Sequence, residues 1–246
     1  MRNVFAETLY KEAIKNKKIY VVAADISPAG SMEKLRKKYP DRFVNTGVAE
    51  QSMIGISAGL AMRGMKPFAY TIATFALYRP FEMIRDDICY QNLPVTIVGM
   101  GAGTIYSTLG GTHLTQEDIS IARSIPNMTV LAPSDLYEMK SCIKYLSKFS
   151  KNPCYLRIGK SGEKDYIFKE STKWKFGKIR KICDGENKTC IVTYGPIIKT
   201  AIEVKKKSNI AIFSAHTLKP FDYKSLKNIL KKYKKIIILE DHSEIG

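Results

Sequence analysis

The sequence lacks the features on which several classes of protein depend. Its five cysteines are scattered without a C-x-x-C pair, and its three histidines share no metal-ligand spacing. This pattern argues against a disulfide framework and against a Cys/His metal site, and it predicts reduced, inert thiols. The chain should therefore be stabilised by an ordinary hydrophobic core, which its 45% hydrophobic content can supply.

Long apolar runs are also missing. No run approaches the roughly 20 residues that a membrane-spanning helix needs. The first stretch has an amphipathic pattern without the apolar core of a signal peptide, and it reads "MRNVFAETLYKEAIKNKK". We therefore expect a cytoplasmic protein that does not act on a membrane.

Acidic residues are scarce beside basic ones, with 23 Asp and Glu against 40 Lys and Arg, a formal net charge of +17. Such a charge is compatible with nucleic acid, an anionic membrane surface or an acidic substrate. The lysines, however, follow helix faces, as in "IEVKKKSN" and "LKNILKKYKK". This favours solvated faces first and an anionic substrate or cofactor second, with no nucleic-acid partner.

Short β-branched runs alternate with helical patterns along the chain. The predicted strands include "KIYVVAADI", "PFAYTI", "LPVTIVGM", "MTVLAPS" and "PCYLRI". Strand–helix alternation of this kind predicts an α/β fold with a parallel sheet and helices on both faces. Chemistry is then expected at the strand ends and in the loops that follow them.

The pattern divides the chain into two α/β units. Residues 1–165 form the predicted larger domain, residues 166–187 a linker or extended excursion, and residues 188–246 a smaller α/β domain. Because no helical pattern follows the last predicted strand, we expect this second unit to be incomplete.

One carboxylate stands at the start of an unusually apolar helix. Glu50 precedes a dense run of small and apolar residues, and the helix over residues 51–63 should end at Gly64 with Pro67 beyond. The glutamate either favours the helix dipole or, in apolar surroundings with a raised pKa, shares a proton with a ligand nitrogen. Composition alone leaves both interpretations open.

Three aromatic residues follow at a spacing of three. A helix over "LYRPFEMIRDDICYQ", with Pro80 in its first turn, would place Phe75, Tyr78 and Phe81 on one face if it begins early enough. They either pack in the core or form a stacking floor for a flat heteroaromatic ring. Arg79 and Arg85 are possible anion partners beside them.

A glycine-rich loop after a predicted strand carries a histidine. The loop "GAGTIYSTLGGTHLTQED" contains His113 and ends in a Thr-x-x-Asp pattern that predicts capping of the next helix by Thr115 and Asp118. A histidine in such a loop is a candidate for catalysis or substrate binding. The loop lacks the G-K-[ST] of a P-loop.

The order of these motifs resembles the pyrimidine-binding domain of the transketolase superfamily of thiamine diphosphate enzymes. The motifs run "GVAEQ", "AGLAMRGMKPF", "TFALYRPFEMIRDD", "LPVTIVG", "LGGTHLTQEDI", "IPNMTVLAPSD" and "PCYLRIGK". The later motifs "IVTYGP", "HTLKPFD" and "IIILEDHSEIG" look like the transketolase C-terminal domain. The resemblance covers nearly the whole chain and is specific as an ordered set.

The resemblance implies a role for each candidate residue. Glu50 matches the glutamate that hydrogen-bonds N1′ of the cofactor's aminopyrimidine and drives its imino tautomer. Phe75, Tyr78 and Phe81 match the aromatic pocket, with Tyr78 as the expected stacking partner. Asp25 matches a strand-end aspartate near the cofactor.

On the substrate side, His113 matches a histidine that contacts the substrate near its reacting carbons. Lys160 matches a basic position on the phosphate side, and Arg79 is carried as a third substrate-binding candidate. Four positions depart from the family pattern, namely Ser52, Gly101, Ala102 and Leu109. These departures put ordinary pentose-phosphate substrates in doubt.

The diphosphate half of the family's cofactor site is missing from the sequence. No "GDG" motif occurs, and "CDGEN" is neither that motif nor placed like it. The resemblance therefore implies a split enzyme in which a partner subunit holds most of the Mg²⁺ and diphosphate contacts, in an expected heterotetramer.

We accordingly expect the second, beta-type subunit of a split transketolase, which transfers a two-carbon ketol unit from a ketose donor to an aldose-type acceptor. A deoxyxylulose-phosphate-synthase-like enzyme or a 2-oxoacid dehydrogenase beta subunit is the nearest alternative. A non-catalytic basic module that binds nucleic acid or scaffolds a complex is the alternative from another class.

Overall fold

The fold is seen in a computed structural model that describes residues 1–26, 31–160, 162–186 and 188–245; for Ser31 it describes the backbone alone. Within these residues the strands are β1 (Ile19–Ala23), β2 (Phe43–Asn45), β3 (Lys66–Ile72), β4 (Thr96–Met100), β5 (Thr129–Leu131), β6 (Cys154–Ile158), β7 (Arg180–Cys183), β8 (Thr189–Thr193), β9 (Ala211–Ser214), β10 (Thr217–Lys219) and β11 (Lys235–Leu239).

The α-helices of the same residues alternate with these strands. They are α1 (Arg2–Lys15), α2 (Ser31–Lys38), α3 (Glu50–Met62), α4 (Ala73–Leu77), α5 (Phe81–Met83), α6 (Asp118–Ser124), α7 (Leu136–Lys148), α8 (Ile198–Lys207) and α9 (Tyr223–Lys232). A π-helical segment, Ile84–Tyr90, continues α5.

A seven-stranded sheet forms the centre of the larger unit, in the order β10-β5-β6-β4-β3-β1-β2. The first six strands in sequence pair in parallel, as the strand–helix alternation predicts. The edge strand β10 pairs antiparallel with β5. The carboxyl ends of β4, β3 and β1 therefore lie side by side at one edge, where the candidate residues are expected.

Both faces of this sheet are covered by helices. Ile19, Val21 and Ala23 of β1 pack in a cluster with α1, α2 and α7. The alternate residues Val22 and Ala24 pack in a second cluster with α3 and α6. Because successive strand residues point to opposite faces, the two clusters lie on opposite sides of the sheet. The predicted α/β fold with helices on both faces is confirmed.

The second sheet has four strands in the order β11-β8-β9-β7, and β7 is antiparallel to β9. Strand β7 lies inside the segment 166–187, predicted as a linker or extended excursion. Strand β10 comes from the smaller predicted domain but joins the larger sheet. The smaller unit thus contributes one strand to the larger sheet, a long-range arrangement that local patterns do not reveal.

Helix α3 ends as its sequence predicts. Gly64 has φ +81°, and its N–H donates to the carbonyl of Ala61 at 2.9 Å, while the N–H of Met65 donates to Leu60 at 3.0 Å. These two bonds form a Schellman motif, which needs the left-handed backbone that glycine adopts readily. This end turns the chain into β3, the strand that leads to the candidate site.

The helix predicted over residues 77–91 is irregular in the structure. A short helix, α4, begins earlier at Ala73, a turn follows at residues 78–80, and Pro80 precedes α5. Proline lacks the N–H of a regular helix interior, which explains the interruption. The prediction that Pro80 lies in the first turn of one continuous helix is therefore wrong.

Within the described residues, no helix is both long enough and apolar enough to cross a membrane.

Candidate active site

The candidate residues converge on the carboxyl edge of the larger sheet. Asp25 follows β1, α4 follows β3, and the glycine-rich loop (residues 101–117) follows β4. Glu50 is the first residue of α3, after β2. In parallel sheets this edge collects the loops that bind ligands. The four segments therefore lie where the fold favours a site.

Glu50 is buried and holds an ion pair. It is 2% exposed, and Arg79 Nη1 donates to both Oε1 and Oε2 at 3.0 Å. A carboxylate removed from water needs a compensating charge or hydrogen-bond donors. Arg79 supplies both here. The structure thus pairs Arg79, a predicted substrate-binding residue, with Glu50, a predicted cofactor-binding residue.

The same arginine stacks on the first aromatic residue. The guanidinium carbon of Arg79 lies 4.1 Å from the centre of the Phe75 ring. The His113 ring meets Phe75 from another direction, with ring centres 5.1 Å apart in an edge-to-face arrangement. Glu50, Arg79, Phe75 and His113 thus form one continuous set of contacts.

This set continues to the last substrate-side candidate. The rings of His113 and Tyr106 lie 6.0 Å apart, and Lys160 Nζ lies 4.5 Å from the centre of the Tyr106 ring. His113 Nδ1 also shares a 2.9 Å hydrogen bond with the Thr112 hydroxyl. A cation and an imidazole therefore flank one buried tyrosine, an arrangement suited to a polar, anionic ligand.

Tyr78 takes part in a different contact. Its hydroxyl donates to Glu117 Oε2 at 2.8 Å and accepts the N–H of Glu117 at 3.3 Å. Burial, together with the Glu117 carboxylate, raises the pKa of Tyr78, so the hydroxyl stays protonated. This contact ties the end of α4 to the end of the glycine-rich loop. It leaves the role of Tyr78 as a stacking partner a prediction.

The remaining candidates stand apart from these contacts. Phe81 is 37% exposed at the start of α5 and has no ring contact with Phe75 or Tyr78 in the described part of the chain. Because a turn at residues 78–80 separates α4 from α5, the three residues do not share one continuous helix. Asp25 is exposed at the end of β1 with φ +59°. Arg85 pairs with the neighbouring Asp86 at 2.9 Å.

Beneath the loop lies a buried polar cluster that the sequence did not predict. Asp118 Oδ2 accepts from Arg157 Nε at 2.9 Å and from the Tyr155 hydroxyl at 2.8 Å. Both partners are fully buried β6 residues. Asp118 serves this cluster, and the Thr115 hydroxyl meets that of Thr74 at 3.1 Å. The predicted capping of α6 by these two residues is wrong, since neither side chain accepts an N–H of its first turn; His242 Nε2 accepts the N–H of Ser120 there at 3.4 Å instead.

The segment of residues 240–245, which follows β11, docks on the same loop. Arg157 Nη2 donates to the carbonyl of Asp241 at 2.7 Å, and the N–H of Thr104 donates to Asp241 Oδ2 at 3.3 Å. The N–H of Ser243 donates to the carbonyl of Gln116 at 2.7 Å. Contacts at both ends of the loop connect it to the smaller unit.

The residues present fit the pyrimidine half of thiamine diphosphate. A buried carboxylate and an aromatic face lie on two sides of one planar, nitrogen-bearing group, the Arg79 guanidinium. An aminopyrimidine is also planar and presents ring and exocyclic nitrogens, so Glu50 and Phe75 would hold it by the same two contacts. Among residues 1–26, 31–160, 162–186 and 188–245, no cluster of three His, Cys, Asp or Glu suits a metal ion.

Several site residues escaped the sequence analysis. Tyr106 and Glu117 lie in the glycine-rich loop and had no distinguishing pattern, although an aromatic residue near a predicted site histidine is a usable signal. Arg157 and Asp241 could have been noticed as charged residues within or after strongly apolar strands. Their partners lie many residues away, so the pairs themselves are not readable from spacing.

Comparison with known families covers almost the whole chain. The family model of the transketolase pyrimidine-binding domain matches residues 1–162, and that of the transketolase C-terminal domain matches residues 177–246.

Individual relatives agree with these matches. A Methanocaldococcus jannaschii protein described as a transketolase C-terminal section is 38% identical over 253 residues, which cover 100% of this chain and 78% of the relative. A Phocaeicola vulgatus protein described as a subunit of apulose-4-phosphate transketolase is 30% identical, covering 100% and 80%. The 1-deoxy-D-xylulose-5-phosphate synthase of Clostridium perfringens is 34% identical, but this chain spans only 40% of it.

Solved structures show the same fold. A split-gene transketolase, described as an inactive beta4 tetramer, superposes with a TM-score of 0.88 at 32% identity, covering 100% of this chain and 80% of that one. The transketolase of Leishmania mexicana has a TM-score of 0.80 at 18% identity, covering 100% and 39%. The chain therefore belongs to the transketolase family, with a pyrimidine-binding domain followed by a transketolase C-terminal domain.

Proposed function

We propose that the chain is the second, beta-type subunit of a split, thiamine diphosphate-dependent transketolase. The observation that carries this proposal is the buried Glu50 carboxylate at the carboxyl edge of the sheet, which Arg79 links to the Phe75 ring. The relatives named as transketolase subunits support it. The reaction is transfer of a two-carbon ketol unit from a ketose donor to an aldose-type acceptor.

Glu50 is the residue that activates the cofactor in this proposal. Its carboxylate lies in a nearly dry position, where a proton shared with the ring nitrogen N1′ is not lost to water. The bound cofactor supplies the electron sink for breaking a carbon–carbon bond of the ketose. Phe75 orients the aminopyrimidine by its ring face, with Tyr78, Phe81 and Asp25 as further cofactor-binding residues.

His113, Lys160 and Arg79 form the substrate side. His113 holds or moves a proton near the reacting carbons of the substrate, from a loop fixed at both ends. Lys160, beside Tyr106, supplies positive charge for an anionic group of the sugar. The strongly basic chain agrees with an anionic substrate and cofactor. Because its lysines follow helix faces, we propose no nucleic-acid or membrane partner.

A partner subunit supplies the other half of the site. It carries the diphosphate-binding domain, holds most of the Mg²⁺ ligands, and assembles with this chain into a heterotetramer in the cytoplasm. The relatives that are named as transketolase subunits support this division. We propose residues 1–165 and 188–246 as the two domains, with residues 166–187 as an extended excursion that contributes β7 to the smaller sheet.

The relationship to deoxyxylulose-phosphate synthases supports one competing reaction, and a 2-oxoacid dehydrogenase beta subunit would share its use of a 2-oxoacid. A transketolase takes a ketose and releases a shorter aldehyde, whereas the competing enzyme releases CO₂ from pyruvate. A screen of the assembled enzyme with ketose donors and with pyruvate separates the two. Release of CO₂ without any ketose turnover would replace our proposal by the alternative.

The direct test is thiamine diphosphate and Mg²⁺ binding by calorimetry. We expect negligible binding to this chain alone and tight binding once the diphosphate-domain subunit is added. In the assembled enzyme, Glu50→Gln should abolish turnover while assembly survives, because the amide cannot share a proton with N1′. Near-normal turnover of E50Q would remove Glu50 from the proposed role.

A further inference from the structure

The Arg79 guanidinium contacts the Glu50 carboxylate and the Phe75 ring at the same time. Its Nη1 donates to both oxygens of Glu50 at 3.0 Å, and its central carbon lies 4.1 Å from the Phe75 ring centre. A guanidinium is planar and delocalised, so it stacks on a ring while its N–H groups donate in the plane. Glu50 and Phe75 therefore define a narrow place for a flat, nitrogen-rich group.

An aminopyrimidine has the same requirements. It is flat, stacks on an aromatic face, and can share a proton between a ring nitrogen and a carboxylate. One place between Glu50 and Phe75 cannot hold both a guanidinium and such a ring. Cofactor binding at Glu50 and the observed ion pair are therefore mutually exclusive.

The ion pair also has a reason to exist in the cofactor-free chain. The Glu50 side chain is only 3% exposed, and a buried carboxylate without a partner is costly. The Arg79 side chain is 44% exposed, and its backbone lies in the turn between α4 and α5. The Arg79 side chain can therefore swing out into water, because it is already partly exposed. The Glu50 side chain is buried and has to stay in the site.

We propose that Arg79 holds the aminopyrimidine position in the cofactor-free subunit and is displaced when the cofactor binds. This inference rests on the proposed function and adds a competitor to that site. The arginine keeps the Glu50 carboxylate paired until the cofactor arrives, and it lowers the apparent affinity for any ligand of the pocket. Its side chain becomes free for a substrate anion only after the cofactor is bound.

The first test uses this chain alone and a fragment of the cofactor, 4-amino-2-methylpyrimidine, followed by NMR. We expect Arg79→Ala to bind the fragment at least about tenfold more tightly than the unaltered chain, the size of a lost charge-assisted contact. Glu50→Gln combined with Arg79→Ala should lose that gain. Arg36→Ala is the matched control, because Arg36 pairs with Glu33 at 2.7 Å on remote helix α2.

The second test measures thiamine diphosphate affinity of the enzyme assembled with its diphosphate-domain subunit. Arg79→Ala should bind the cofactor more tightly than the unaltered enzyme, and Arg79→Lys should lie between them, because lysine keeps the charge without the planar fork. Equal affinity in all three, or weaker binding in Arg79→Ala, would overturn the inference.

Variants of Glu50 and Arg79 in the assembled enzyme distinguish a failure of the proposed function from a failure of the Arg79 role. If the assembled enzyme binds thiamine diphosphate and Glu50→Gln abolishes turnover while Arg79→Ala leaves the cofactor affinity unchanged, the function stands and the place-holder role is refuted. If neither the unaltered nor the Arg79→Ala assembly binds the cofactor, both the proposed function and the place-holder role of Arg79 are refuted.

Discussion

The carboxylate of Asp241 occupies the space in which a side chain at Gly103 would lie. Gly103 has φ +78°, and a Cβ added there would collide with Asp241 Oδ2. The same oxygen accepts the N–H of Thr104 at 3.3 Å. The segment after β11 is thus fitted against the loop that carries His113. Because the two belong to different units, this fit couples their arrangement.

Gly103→Ala should therefore destabilise the protein more than the backbone conformation alone requires. A left-handed backbone costs a residue with a Cβ about 1–2 kcal/mol, and moving Asp241 Oδ2 away from the N–H of Thr104 should add about 0.5–1.5 kcal/mol. Gly64→Ala is the control, since Gly64 has φ +81° at the left-handed end of α3 with open space around it. Urea denaturation of both variants measures the difference. Equal losses would show that Asp241 yields without cost.

The buried pair of Asp118 and Arg157 should be far more sensitive than an exposed pair. Asp118→Asn leaves the Arg157 guanidinium, 2% exposed, without its charged partner. Breaking a buried pair in this way costs about 3–5 kcal/mol. The control is Glu33→Gln in the exposed pair with Arg36, where denaturation should detect almost no loss. A loss in D118N no larger than that of the control would contradict this account.

The sequence predicted what local patterns determine. The strands, the α/β class and the end of α3 at Gly64 follow from periodicity and from glycine's backbone freedom, and the structure has them. The predicted cap at Thr115 and Asp118 failed because Arg157, a distant residue, draws Asp118 inward. The same applies to Arg79, whose partner Glu50 was predicted as a cofactor residue but not as half of an ion pair.

Two substitutions of Tyr78 distinguish the contribution of its ring to cofactor binding from that of its hydroxyl. If the ring stacks on the cofactor, Tyr78→Ala should weaken thiamine diphosphate binding to the assembled enzyme by about three- to tenfold, as aromatic pairs are worth about 0.5–1.5 kcal/mol. Tyr78→Phe keeps the ring and loses only the two hydrogen bonds with Glu117, so its cofactor affinity should stay near that of the unaltered enzyme. Calorimetry measures both. Equal weakening in the two variants would assign the role to the hydroxyl.

A buried histidine should make stability depend on pH. His216 stacks on Trp174 with ring centres 5.2 Å apart and is fully buried. Burial, with the Arg180 charge nearby, lowers the pKa of His216 from its usual 6.5 to about 3. Between pH 3 and pH 6.5, His216 is therefore protonated in the unfolded chain and neutral in the folded chain. His216 therefore removes stability as pH falls below about 6.5, by about 1.4 kcal/mol per pH unit.

A neighbouring carboxylate acts in the opposite direction. Burial, with the Glu138 charge beside it, raises the pKa of Asp135 from 3.8 to about 6, so the folded chain binds that proton more readily. Asp135 therefore removes stability as pH rises from 3.8 toward 6. His216→Gln deletes only the histidine contribution. The free energy of unfolding of His216→Gln minus that of the unaltered chain should therefore be larger at pH 5 than at pH 7. Urea denaturation of both proteins at both pH values measures this difference. An unchanged difference between the two proteins would mean that His216 is protonated in the folded state.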